Sequence, residues 1–200
     1  MIPAFEKVRK NLEANGFKVS EFETGKDAVE YLNREIDGKT VGVGGSMTIK
    51  ELGLSDLLAA HNTLISHWSA ENRAAALRAA QSSDVYLSSV NGLSEDGEII
   101  NIDGSCNRVS GTLFGHKKVY FIVGKNKLAK DYNAALFRVR NIAAPMNAKR
   151  LNMKTPCAEK GDRCYNCNSP QRICRALTVL WRAPFGTEFE VVLINENFGY

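Results

Sequence analysis

The chain has 200 residues, 44% of them hydrophobic and 24% charged, a size and balance that suit one globular domain and exclude disordered and collagen-like classes. Its net charge of +4 is spread along the sequence, which suits a small anionic ligand. Without an aromatic–basic run or a familiar module, it argues against nucleic acid as a partner. No apolar run approaches the length of a membrane span and no secretory signal is visible, so a cytoplasmic protein is expected, with its five cysteines reduced unless a metal claims them.

Phe5, Val8 and Leu12 share a helical face that Gly16 should end. Phe17 to Phe22 alternates as a strand, and a second helix follows Thr24 with Ala28, Tyr31, Leu32 and Ile36 inward. Lys39 to Val43 reads as a buried strand entering Gly44-Gly45-Ser46. Thr48 and Glu51 form a capping box that predicts a helix through Leu52 to Ala60. Ser69 is expected to cap an alanine-rich helix over 70–80. Asp84 to Val90 and Lys117 to Val123 read as strands, the latter apolar enough to be central. Between them, Gly97 to Asp103 suggests a hairpin arm. Lys127 to Ala143 carries a long helical pattern that Pro145 should stop. Ala176 to Ile194 returns to strand-like composition, turning at Ala183 to Gly186.

Alternating strands and helices predict an α/β fold with a largely parallel sheet. Residues 1–200 form one domain, interrupted near its end by a cysteine-rich segment at 155–176. Right-handed crossovers would gather the strand-to-helix loops at one end of the sheet. Three such loops are rich in hydroxyl, carboxylate and amine groups, and together they predict a pocket. The first is Gly42 to Thr48, a glycine-rich turn suited to phosphate or carboxylate, although it is neither a Walker loop nor a dinucleotide fingerprint. A tight turn needing only small residues is the alternative. The second is Ser88 to Glu98, bringing Ser89 and Asn91. Its Glu95 and Asp96 read as solvated turn residues, whereas Glu98 and the following Asp103 are candidates for acid/base work. The third, Gly124 to Lys127, supplies two cations, Lys125 and Lys127. Cys106 reads as a small packing residue, with a nucleophile as the alternative. His61, His67 and His116 show no ligand spacing.

Cys157-x6-Cys164-x2-Cys167-x6-Cys174 places four thiols within eighteen residues of polar sequence. Thiolates in this number suit a tetrahedral zinc site or an iron–sulfur cluster. Arg163, Arg172 and Arg175 would offset the charge of either, and the residues alone leave the two metals even.

Several motifs resemble the LUD-domain, or lactate-utilisation, family. They are Val43-Gly-Gly-Ser-Met-Thr-Ile-Lys-Glu-Leu-Gly53, Ser88 to Glu98, Asn101-Ile-Asp-Gly-Ser-Cys-Asn-Arg108, Val123-Gly-Lys-Asn-Lys127, Arg138 to Arg150, and the segment ending Ser169-Pro-Gln-Arg-Ile-Cys174. The resemblance implies a Rossmann-like three-layer α/β sandwich similar to the sugar-phosphate isomerase and CoA-transferase group. It implies that Gly44, Gly45, Ser46 and Thr48 hold phosphate or cofactor. By position it makes Glu98, Asp103 and Lys127 the nearest counterparts of the acid/base groups found in that group. It further implies a link to oxidation of L-lactate, a 2-hydroxy acid, through an iron–sulfur-dependent system with an electron-transfer partner, and so favours a 4Fe-4S cluster over zinc. A homodimer is a further expectation. The alternative is a non-redox isomerase- or transferase-like enzyme, or an anionic-ligand-binding protein, with structural zinc.

Overall fold

The computed structural model describes residues 1–200. Its centre is a six-stranded, wholly parallel sheet in the order β1-β10-β7-β4-β2-β3, built from β1 (Lys18–Phe22), β2 (Thr40–Val43), β3 (Thr63–Ser66), β4 (Val85–Ser88), β7 (Lys118–Gly124) and β10 (Glu188–Ile194). A strand in the middle of such a sheet is covered on both faces, which is why the inner strands read as unbroken apolar runs. In β10, Val191 and Leu193 serve one core while Val192 and Ile194 serve the other; Phe121 and Val123 of β7 alternate with Tyr120 and Ile122 in the same way.

On one face lie α2 (Gly25–Glu35), α3 (Met47–Glu51) and α4 (Leu54–Ala59), which bury Ala28, Leu32, Ile49, Leu54 and Leu58 against the sheet. On the other lies α1 (Glu6–Ala14), beside a second, four-stranded sheet in the order β8-β5-β6-β9. Its strands are β5 (Gly92–Ser94), β6 (Ile99–Asp103), β8 (Leu128–Ala129) and β9 (Ala176–Leu180). Here the pleat divides two cores: Ile99 packs toward the large sheet, and Ile100 packs outward on Ala135 and Val139 of the next helical run. The sandwich therefore has the expected three layers, with the third layer part helix and part sheet.

Three local expectations are corrected. The cap of α3 is Ser46, whose Oγ accepts from the Ile49 N–H at 3.4 Å. Thr48 is fully buried and turns its hydroxyl inward, so it is not free to cap. Gly53, at φ +63°, then separates α3 from α4. The helix over 70–80 shortens to α5 (Arg73–Ala79) because Asn72, not Ser69, accepts the cap bond, from the Ala75 N–H at 3.0 Å. Pro145 does not stop its helix: α7 (Tyr132–Arg138) widens into a π turn over Val139–Ala143 and continues as α8 (Ala144–Arg150). The wider π register absorbs the hydrogen bond that proline cannot donate. Lys127 itself lies before this helix, in a 3-10 turn at Lys125–Lys127. No helix is long and apolar enough to cross a membrane.

Candidate functional site

Neighbouring strands β2 and β4 send the chain to opposite faces of the large sheet: β2 leads to α3 on one side, β4 to β5 on the other. Such a divergence opens a crevice beyond the carboxyl ends of the strands. A cleft of about 480 Å³ lies there, and its wall includes Gly45, Ser46, Ser89, Asn91, Asp103 and Lys127. All three polar loops read from the sequence contribute to it.

Lys127 forms the floor and is only 3% exposed. Its ammonium donates to Thr48 Oγ1 at 2.7 Å and to Ser89 Oγ at 2.8 Å. Those oxygens accept because their own protons are committed: Ser89 donates to the Ile122 carbonyl at 2.5 Å, and Thr48 to the Phe198 carbonyl at 3.2 Å. Lys127 makes no ion pair. Burial, then the charges of Arg138 and Arg108, lower its pKa to about 7, with Glu51 opposing them. A lysine held this way supplies a neutral amine near physiological pH.

Around this floor, two arginines set the loops. Arg108, in the first turn of α6 (Asn107–Gly111), donates to the Ser89 and Ile102 carbonyls and to the side-chain oxygens of Asn101 and Asn91, at 2.6–3.1 Å. Gly44 makes room for it, since a Cβ there would stand 2.9 Å from Arg108 Cγ. Arg138, buried in α7, donates to the carbonyls of Asn126 and Asn91. Both guanidiniums are spent on neutral protein oxygens, so they position the loops. The N–H groups of Gly45 and Ser46, by contrast, are given no partner within the chain. Arg73 and Arg150 stand at the rim with Trp68 and Tyr200, and Arg150 lies 5.7 Å from the Trp68 ring. His67 is buried beside them, and burial and Arg73 hold its pKa below the usual histidine range. Besides Lys127, three arginines against one carboxylate line the cleft, a balance that draws anions.

The candidate residues thus separate. Gly45, Ser46, Ser89, Asn91, Asp103 and Lys127 line the cleft; Thr48 lies beneath it as a support for Lys127, and Gly44 packs on Arg108. Asp103 accepts four backbone N–H groups, from Ser105, Cys106, Arg108 and Val109, each at 3.1 Å, and so fixes the turn into α6. Glu98 lies at the β5–β6 turn, bonded to Ser94, and Lys125 is exposed; neither reaches the cleft. Cys106 is exposed rather than packed, and stands at φ +64° in the turn before α6. Trp68, Arg73, Asn147, Arg150 and Tyr200 were not legible as site residues: Trp68, Arg73 and Tyr200 belong to no motif, and Asn147 and Arg150 fall in the Arg138 to Arg150 motif without chemistry that singles them out.

Cys157, Cys164, Cys167 and Cys174 are free, half-buried thiols in and after α9 (Pro156–Lys160), and they form no disulfide. Cys164 Sγ accepts from the Asn166 N–H at 3.4 Å, and Arg140 approaches it at 3.9 Å. No three Cys, His, Asp or Glu side chains are gathered as a metal ligand set. The donor chemistry is that of a thiolate site, and Cys157, Cys164, Cys167 and Cys174 are the residues that would hold such a group.

A parallel sheet between two covering layers, with a loop-lined cleft at its carboxyl edge, defines a Rossmann-like α/β sandwich. The chain belongs to the LUD domain family, whose model matches residues 5–194. In fold it is similar to a DUF162 family protein from Deinococcus radiodurans, known from a crystal structure, at a TM-score of 0.52 and 13% identity over 96% of each chain. No curated protein matches it.

Proposed function

We propose that this lactate-utilisation-type protein binds a small carboxylate, of the 2-hydroxy acid class, in the cleft, and that Lys127 accepts the proton of its hydroxyl. The observation that carries this reading is a buried lysine with no counterion at the floor of a cationic cleft. The unpaired N–H groups of Gly45 and Ser46 suit the carboxylate. Burial, then the charges of Arg138 and Arg108, disfavour the ammonium before the substrate enters, leaving an amine ready to take a proton. In oxidation the electrons would pass to an electron-transfer partner, as the family resemblance implies.

Calorimetric and thermal-shift titration with L-lactate and with inorganic phosphate tests it. The acid should stabilise the wild type, by about 2.7 kcal/mol at a hundredfold excess over Kd, which is roughly 5–10 °C in a chain of this size. Ser46→Ala and Lys127→Met should weaken the effect. An absent shift, or one unchanged in Lys127→Met, sinks the reading.

A second reading, an iron–sulfur component of lactate oxidation, is favoured by the N–H···S contact at Cys164, a hydrogen bond of the kind that tunes cluster thiolates. Anaerobic metal analysis with an absorption spectrum decides it: bound iron and sulfide support it, and a metal-free protein removes it.

A further inference from the structure

We infer that Lys127 captures a 2-oxo acid covalently, as an imine between its Nζ and the carbonyl carbon of the acid. The inference rests on the cleft as a carboxylate site and adds an activity that acid binding does not require.

The hydrogen bonds around Nζ carry it. Each hydroxyl has a single proton, and both protons go to main-chain carbonyls. Thr48 Oγ1 and Ser89 Oγ therefore meet Lys127 only as acceptors, and each takes one N–H. A neutral amine has two N–H bonds and one lone pair. Once both N–H bonds are engaged, the lone pair is the valence left over, on a group that forms part of the cleft wall. The same hydroxyls prevent the amine from turning that lone pair away. No carboxylate pairs with Lys127, so nothing nearby holds a permanent proton on it. Gly199 passes close by, and a Cβ there would stand 3.4 Å from Nζ; its lack of a side chain keeps the approach clear. A desolvated lysine near other cations is the arrangement that activates an amine as a nucleophile toward carbonyls.

The step balances within these groups. The Nζ lone pair forms the C–N bond while the carbonyl π pair moves to oxygen. That oxygen takes a proton released by nitrogen, giving a carbinolamine. Its hydroxyl then leaves as water, with a second proton from nitrogen, and the C=N bond forms. No electron leaves the pair of reactants, so no oxidant is required. The product of oxidising a 2-hydroxy acid is a 2-oxo acid, so the same cleft would meet this carbonyl in turnover.

The test is reductive trapping. The full chain is incubated with pyruvate and cyanoborohydride near pH 8, digested, and mapped by mass spectrometry, with and without excess L-lactate, whose own binding is measured by calorimetry. One reduced adduct on the peptide carrying Lys127 is expected, well above labelling of the exposed Lys125 and Lys130. It should be absent in Lys127→Met, diminished in Ser89→Ala and suppressed by lactate. Labelling spread over surface lysines, or none at Lys127 in the wild type, overturns the inference without any variant having to fold. If lactate binds and pyruvate leaves no adduct, the imine falls while acid binding stands. If the adduct forms and lactate neither binds nor protects, acid binding falls while the imine stands.

Discussion

Lys127 shows how one residue takes its chemistry from groups far away in sequence. Thr48 and Ser89 orient it, and burial, with Arg138 and Arg108 nearby, disfavours its proton. The sign of its effect on stability follows. Its pKa of about 7 in the fold lies below the ordinary 10.5, so between these values the unfolded chain binds a proton that the folded chain does not. Stability from this group therefore rises with pH across that window, by at most about 1.4 kcal/mol per pH unit. Thermal melts from pH 6 to 10 should show the rise in the wild type and its loss in Lys127→Met, which should also melt higher than the wild type at pH 6. Imine trapping should climb as pH passes 7, where the free amine becomes the main form of Lys127. Arg108 gives the opposite kind of residue. Arg108→Met would remove four hydrogen bonds that frame the loops, at about 0.5–1.5 kcal/mol each, while the side-chain oxygens of Asn91 and Asn101 keep the backbone N–H groups of Ile102 and Asn91. A lower melting temperature with weaker acid binding would show that it positions the loops, whereas unchanged melting would contradict it. The hydroxyls and Lys127 were visible in sequence as loop residues of the right chemistry. Their mutual contact was not, because 79 positions separate Thr48 from Lys127 and only the strand order brings them together.

At the scale of elements, periodicity and punctuation carried most of the fold. The α1 face, the Thr24 cap that accepts from the Asp27 N–H at 3.2 Å, and the buried strands β2, β7 and β10 follow from local pattern. The departures come where tertiary contacts outrank local signals. Thr48 looked like a cap until its hydroxyl was needed by Lys127, and Pro145 looked like a stop until the π turn accommodated it. Gly42 in β2 illustrates the same point for packing. A Cβ there would stand 2.6 Å from the Ala80 carbonyl oxygen and 2.9 Å from the Tyr86 ring, so the strand and the turn before β4 are in direct backbone contact. Gly42→Ala forces one of them to move, at a cost of about 1–3 kcal/mol. Chemical denaturation should register it as a lower midpoint with the slope unchanged. A neutral substitution would mean that the turn at Ala80 yields freely.

For the whole molecule, the parallel sheet separates a stabilising end from a reactive one. At the amino ends of its strands, Glu190 is fully buried on β10 and is bound by Ser20 and Tyr31 at 2.7 Å, with Lys18 of β1 and Lys118 of β7 at 3.1 and 3.0 Å. Burial opposes its charge, yet the bonds from Tyr31, Ser20 and Lys118 prevail and hold the carboxyl below its ordinary range. Its stabilisation is thus present above the ordinary carboxylate range and is lost as pH falls through the depressed value. Glu190→Gln removes the partner that Lys18 and Lys118 share, but Lys118 keeps Glu188 at 2.6 Å and Lys18 is half exposed, so the cost should be about 1–3 kcal/mol. The acid limb of the stability profile should flatten in that variant. The cleft lies at the opposite, carboxyl ends of the same strands, and its loops are set by Arg108 and Arg138 rather than by Glu190. Calorimetry on folded Glu190→Gln should therefore return a wild-type Kd for the acid despite the lower melting temperature. Lys127→Met should show the reverse, with weakened binding in a chain no less stable near neutral pH. Should Glu190→Gln weaken acid binding as much as Lys127→Met does, the two ends would be coupled through the sheet, and the cleft would depend on the global stability of the strands rather than on its own loops.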